Sequence, residues 1–462
     1  MKLSIWAWAW ALSGCLLTGD ALAQGLRQPF SVRPTGFDYN RYLQDESPSP
    51  SDQPAQVVDA QPAQTPAAPA VGSGASPVYN APCDVGACDS GCASCGGHGA
   101  CGCGGGGGCA LGGWLDCHCC LGEPYAIDSH LFCEDSPWNF GGWTQFGYHN
   151  HSDLLFNQHP GKFRLHQQWF YLEKVAQADA CNWDWGFRGD IMYGVDAEDT
   201  QAFGNTIGPN GEPRGWDTGW DHGIYGFAIP QLYLEVARGD LSVKAGHFYT
   251  PIGYEVVPAP QNFFYSHSFT MYNSEPFTHT GVLATYSVSD GLDVFAGWTL
   301  GWDTAFDQFD DGSTFLGGVS ATLTNATKLS YFSTIGDFGW RGAEGYMNSI
   351  VLDTDLTEKL KYIFWTDYLR VDSTGEDNFA LNQYLIYRIS DCLALGGRAE
   401  WWKTDPLDPT LGVGNISVYQ TTFGINIRPH ANLIFRPELR QQWSPAADYD
   451  ETIFGVDMIA TY

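Results

Sequence analysis

From Trp138 to Tyr462 the chain is written in segments of roughly ten residues in which apolar positions alternate with small or polar ones. In the closing segment, Phe454, Val456, Met458, Ala460 and Tyr462 share one face, and Gly455, Asp457, Ile459 and Thr461 share the other. The same split sets Leu292, Val294, Ala296 and Trp298 against Asp293, Gly297, Thr299 and Asp303, and Leu433, Phe435 and Leu439 against Asn432, Arg436, Glu438 and Arg440. A period of two is the signature of a β-strand with one apolar side. Any one such segment also fits a half-buried strand of a soluble sandwich, so the evidence lies in the series. About sixteen segments can be placed, near 138–147, 163–174, 183–196, 226–238, 240–250, 279–289, 291–303, 314–325, 327–338, 345–354, 358–370, 378–389, 391–403, 415–428, 430–441 and 451–462.

The gaps between these segments alternate in length. Tight connections at Arg238-Gly239-Asp240, Ser289-Asp290-Gly291, Asn325-Ala326, Ile389-Ser390-Asp391 and Pro429-His430 interleave with longer ones at 148–162, 197–225, 251–278, 304–313 and 404–414. Short turns on one rim and long loops on the other are the pattern of a transmembrane antiparallel up-and-down β-barrel. Composition agrees, since 18 Trp, 23 Tyr and 27 Phe with 55 Gly favour strands and turns over helices. Beyond the first residues no run of 18 apolar positions occurs, so no transmembrane helix is expected. A closed barrel is the other structure that satisfies every backbone group in lipid. The fold class expected is therefore all-β, a barrel of about sixteen strands over 138–462 with an irregular N-terminal arm.

The arm has three parts. Residues 1–23, with Lys2, an apolar run from Ile5 to Leu17 and small residues at Ala21 and Ala23, read as a secretory signal peptide; Leu12-Ser13-Gly14-Cys15 offers a second, lipoprotein-type reading. Residues 24–82 form a Pro/Ala/Gln-rich stretch with almost nothing to bury, a disordered linker. Residues 83–133 carry eleven cysteines among glycines, from Cys83 to Cys133. Cys92-Ala-Ser-Cys95 with His98 and His118 has zinc-like spacing, but an exported chain meets an oxidising compartment and glycine tracts do not fix tetrahedral ligands. Disulfides are the expectation. Eleven is odd, which leaves a thiol to pair with Cys181, with Cys392 or with another molecule such as an envelope protein.

A net charge of -30, from 22 basic and 52 acidic residues, argues against a groove that tracks phosphates, so no nucleic-acid partner is expected. No nucleophile elbow, zinc-protease helix or phosphate-binding loop motif occurs, so no catalytic residue and no cofactor are assigned. Asp307, Asp310 and Asp311 lack the calcium-loop spacing, and no metal site is assigned.

The stretch VKAGHFYTPIGYEVVPAPQNFFYSHSFTM (243–271), the stretch HTGVLATYSVSDGLDVFAGWTLGWDT (279–304) and the closing strand to Tyr462 resemble the OmpL-like outer-membrane β-barrel porin family. The resemblance implies a passive aqueous channel for small hydrophilic solutes or ions in the outer membrane of a diderm bacterium, surrounded by outer-membrane lipid. It also implies insertion by the barrel-assembly machinery, with Phe454 and Tyr462 as a terminal-aromatic assembly signal, and a homotrimer as in many porins. A structural envelope anchor built on the Cys-rich arm and a barrel enzyme are the alternative functions. In general porins the third long loop folds inward, and here the third long connection is 251–278. Its rings, Phe263, Phe264, Tyr265, Phe269 and Tyr272, are expected on the inner wall as a constriction, with Glu255 and Glu275 facing water; the rival reading assigns these rings to the interfacial girdle. Strand parity turns Arg398, Arg428, Arg436 and Arg440, with Glu400 and Glu438, into the lumen, because Arg on the lipid face costs about 2–4 kcal/mol at mid-depth. That basic strip, facing an acidic loop, would set a transverse field; the other reading is that Glu400 and Glu438 neutralise it and stiffen the wall. His247, His267 and His279 are read as hydrogen-bonded wall residues.

Overall fold

The computed structural model describes residues 121, 124–133, 136–153, 155–177, 181–207, 213–405 and 415–462. The expected leader, the linker and most of the Cys/Gly-rich segment lie outside the described residues. In chain order the strands are β1 (Trp138–His149), β2 (Arg164–Lys174), β3 (Asp184–Gly194), β4 (Phe203–Ile207), β5 (Pro213–Gly215), β6 (Gly226–Arg238), β7 (Leu241–Tyr249), β8 (Thr278–Ser289) and β9 (Leu292–Thr299). They continue with β10 (Ser313–Thr324), β11 (Thr327–Asp337), β12 (Gly345–Thr357), β13 (Leu360–Val371), β14 (Glu376–Ser390), β15 (Leu393–Asp405), β16 (Ile416–His430), β17 (Leu433–Ser444) and β18 (Tyr449–Thr461). All but β4 and β5 form one closed sheet of sixteen antiparallel strands, each beside its predecessor, with β18 returning to β1.

Alternation sets the faces as the sequence implied. Outward positions such as Val294, Trp298, Leu385, Phe423, Leu439 and Phe454 are exposed, Phe423 by as much as 68%. A continuous apolar band of this kind is stable only against lipid. Near the long-loop rim the outward rings of Tyr346 and Tyr368, Phe379 and Trp401, and Tyr419 and Trp443 touch pairwise, at centroid distances of 5.9, 5.5 and 5.6 Å. The interfacial girdle is thus drawn from strand ends, and the 251–278 rings are elsewhere.

Four details differ from the sequence reading. β9 stops at Thr299 because Gly301 and Asp303 take positive φ values of 94° and 52°, which breaks the extended chain. The connection 197–225 carries its own hairpin, β4–β5, too short to give a periodic signal. The long-loop rim also has brief connections after β11, β13 and β17, so the alternation of loop lengths is less strict than the sequence suggested. The short-turn rim, in turn, holds a longer link between β2 and β3.

Three short helices are described, α1 (Asp128–Leu131), α2 (Ala197–Thr200) and α3 (Phe269–Ser274). None is long and apolar enough to cross a membrane. At the short-turn rim, Ala431 N–H donates to the Leu121 carbonyl (3.0 Å), and Asn432 bonds both backbone groups of Tyr125 (2.6 and 2.8 Å). Cys392, in the β14–β15 turn of the same rim, is disulfide-bonded. Closure is completed by Tyr462, whose N–H donates to Gly142 (3.0 Å) and whose carbonyl accepts from Gly142 (2.9 Å).

Candidate functional site

Residues 250–277 run from the end of β7 to the start of β8 and lie inside the barrel. Thr250-Pro251 ends the strand, since Pro has no N–H for the ladder. A 3-10 turn at Ala259–Gln261 and the helix α3, capped by Ser268 whose Oγ accepts from Met271 N–H (3.2 Å), give the segment its shape. Almost every residue from Ile252 to Phe277 is buried. Seating such a chain requires room, and the wall provides it by omitting side chains. A Cβ on Gly396 would lie 2.2 Å from the Phe263 ring, one on Gly424 3.1 Å from Phe264, and one on Gly455 2.9 Å from Tyr265. Three consecutive rings therefore rest on glycines of β15, β16 and β18.

Around these seats, five charged side chains of the wall bond the backbone of the segment. Glu438 accepts from the N–H groups of Tyr265 (2.9 Å) and Ser266 (3.1 Å). Glu400 accepts from the N–H groups of Phe269 (3.0 Å) and Thr270 (2.7 Å) and from the Thr270 hydroxyl (2.6 Å). Arg436 donates to the carbonyls of Ala259 (2.8 Å) and Asn262 (2.6 Å) while its other edge forks onto Asp457 (2.9 and 2.5 Å). Arg440 donates to the His267 carbonyl (2.6 Å), and Arg398 to the Ser266 carbonyl (2.8 Å). Charge-assisted bonds are the stronger kind and replace the water these backbone groups lose on burial.

The two loop acids depart from expectation. Glu255 does not face water: it is 4% exposed, pairs with Arg398 at 2.5 Å and accepts from the Tyr384 hydroxyl at 2.8 Å. Glu275 is fully buried and packs under Gly253, which holds a φ of 89° and has no Cβ to obstruct the carboxylate. Their burial follows from the depth of the segment, which leaves no aqueous side for them. Arg428 shares the inward parity but sits near the short-turn rim, half-buried, its N–H donating to the Cys392 carbonyl (2.8 Å). Phe454 points outward, and Tyr462 closes the seam.

Several participants were not apparent from sequence. The first long connection also turns inward, and Phe156 packs on His267, Tyr272 and Phe277 at centroid distances of 4.7, 5.6 and 5.6 Å. Asp153 in that connection lies 3.5 Å from Arg440. Tyr265 hydroxyl meets His166 Nε2 (2.7 Å), and His166 Nδ1 meets Asp196 (2.7 Å). Tyr272 hydroxyl donates to Asp199 (2.6 Å), Arg341 bonds the Asn273 carbonyl, and Trp402 donates to Ser274 Oγ (2.9 Å). The inward glycines at 396, 424 and 455 were the available signal, small residues on a face that needs no room for lipid. His247 and His279 are wall residues bonded to Thr280 (2.7 Å) and Thr250 (2.9 Å). Among the described residues no group of three His, Cys, Asp or Glu is arranged to hold a metal ion.

Residues 137–461 match the family model described as "Putative beta-barrel porin-2, OmpL-like". No curated protein matches. Among solved structures, the outer membrane channel DcaP of Acinetobacter baumannii is similar at 12% identity over 70% of this chain and 97% of that one, with a TM-score of 0.47. The anion-selective porin from Comamonas acidovorans gives 11%, 70%, 99% and 0.45, and a loop L8 deletion mutant of OmpT from Vibrio cholerae gives the same four values.

Proposed function

The chain belongs to the OmpL-like β-barrel porin family, and from that premise we propose that it carries small hydrophilic solutes or ions passively across the outer membrane along a route bounded by the β14–β18 wall and the inward segment. The family match over a closed barrel with an apolar outer face carries the reading. The protein is an outer-membrane porin of a diderm bacterium, and its outer face is in contact with lipid. The work assigned to it is transport rather than catalysis. Purified protein in a planar bilayer should give discrete, long-lived conductance steps. A bilayer that stays silent under every voltage, for the intact chain and for a chain lacking the inward segment, would reject the channel.

The attachment of Leu121 and Tyr125 to the β16–β17 turn supports a second role for the arm. Short turns face the periplasm in bacterial barrels, so the Cys-rich segment is read as a periplasmic extension whose thiols can link envelope proteins. Removing residues 24–120 should leave a folded, heat-modifiable barrel, because a closed sheet satisfies its own backbone bonds. Loss of all folded protein would make the arm part of the core. Assembly into trimers and insertion through the barrel-assembly machinery complete the reading.

A further inference from the structure

A constriction loop narrows a channel and leaves water beside it. Here the inward side chains at mid-depth are dry around the ring: Tyr233, Leu316, Trp365, Arg398, Arg440 and Asp457, taken from strands on all sides, are each at most 3% exposed. The segment reaches both walls. Ile252 joins an apolar cluster with Tyr233, Leu283, Leu316 and Met347, while Tyr254, Phe264, Phe269 and Tyr272 pack in a second cluster with Trp365, Tyr384 and Trp402. Phe156 of the first long connection closes over it from the long-loop side.

The chemistry of the contact is also unlike that of a permanent filling. A filling that never moves is most stable when apolar, because burying an ion pair costs desolvation that well-packed hydrophobic side chains avoid. This segment is held by Glu255 on Arg398, by Glu400 and Glu438 on four backbone N–H groups, and by Arg436 and Arg440 on backbone carbonyls. Such bonds are satisfied in one register and lost together on displacement, which makes two discrete states. Both ends converge at Gly253 and Glu275, a narrow neck with a positive-φ glycine on one side.

We propose that residues 252–277 are a movable plug: the structure is the closed state, latched by Glu255–Arg398 and by the Glu400 and Glu438 cradles, and solute passes in a second state in which the segment leaves the β15–β18 wall about its Gly253–Glu275 neck. The proposal rests on the channel reading above, and adds that conduction requires a conformational change.

Tyr265 and Gly455 face each other across the contact, and the Tyr265→Cys/Gly455→Cys double variant ties the plug to the wall when oxidised. In planar bilayers the full-length protein should open in bursts, and the oxidised double variant should be silent until reductant restores openings; reductant on the unmodified protein serves as the control. Openings of the oxidised, cross-linked variant equal to those of the unmodified protein would overturn the plug and leave the channel standing. Because the double variant can fail to assemble, Glu255→Gln/Arg398→Gln provides an independent arm: its open fraction should rise about tenfold, the effect of losing about 1.4 kcal/mol of closed-state preference. An unchanged open fraction would count against the latch. A variant with 256–274 replaced by a short Gly-Ser linker should conduct continuously; if it and the intact chain are both silent, the channel itself is rejected rather than the plug.

Discussion

On β15 to β18 the inward positions hold Arg398, Glu400, Arg436, Glu438, Arg440 and Asp457, and five of these six bond the inward segment directly. On β6 to β12 the positions at similar depth hold Tyr233, Leu283, Leu316, Phe332 and Met347, which share one apolar cluster with Ile252 of the segment. Apolar packing is non-directional and tolerates small slips, whereas a carboxylate that accepts two consecutive N–H groups accepts one alignment. The apolar wall therefore supplies bulk, and the charged wall supplies position. Two guanidinium groups also lie over rings of the segment, Arg398 over Phe264 (5.1 Å) and Arg440 over Phe269 (5.2 Å), so that wall contributes attraction as well.

The sharpest way to break this contrast is to remove one charge and keep its partner. Arg398→Ala leaves Glu255 buried without its cation and should weaken docking of the segment by about 3–5 kcal/mol. Amide hydrogen exchange at Ser266, Ser268 and Thr270 should accelerate by orders of magnitude while the β-strand amides stay protected. Equal acceleration throughout would mean that the segment and barrel unfold as one unit. On the apolar wall, Leu316→Ala should cost about 2–4 kcal/mol through its cavity, read as a lower midpoint for heat modification. Exchange in 264–270 should hardly change, and a change as large as that of Arg398→Ala would erase the distinction between the walls.

A smaller effect is expected where shape rather than charge is disturbed. Gly396→Val places methyl groups where the Phe263 ring now lies and should cost about 1–3 kcal/mol of docking, the usual penalty for overpacking. Increased protease cleavage near Phe263 would register it; unaltered resistance would show that the ring moves aside freely.

Outside the barrel, Asp217 tests whether the loop next to β6 behaves independently. Its carboxylate accepts from Ala202 N–H (3.0 Å) and Ile229 N–H (2.8 Å), and burial pushes its pKa up to about 7 from 3.8. A raised folded pKa means that the native loop holds a proton the unfolded loop has released. Its stabilisation is present below about pH 4 and is lost as pH rises through 7. Proteolysis within 197–225 should therefore quicken between pH 5 and 8, and Asp217→Asn should flatten that slope. The smallest change is expected for Arg428→Ala, a half-buried inward position near the short-turn rim. Losing one inward cation there should shift the reversal potential in a salt gradient modestly toward cations. No shift would remove Arg428 from the selectivity argument.

The sequence by itself determined the barrel and its faces. A period of two is a local property: each residue's side is set by its neighbours, so Phe423 outward and Arg436 inward could be read without any partner being known. The rank of 251–278 as the third long connection was likewise a matter of counting, and its depth in the barrel is consistent with that rank. Tertiary structure alone decided what the segment touches. Glu255 and Arg398 are 143 positions apart and Tyr265 and Glu438 are 173 apart; only closure of β18 onto β1 brings their strands around a common axis. The burial of Glu255 and Glu275, the glycine seats under Phe263, Phe264 and Tyr265, and the inward turn of Phe156 all depend on the width left inside sixteen strands, a quantity that no local pattern encodes.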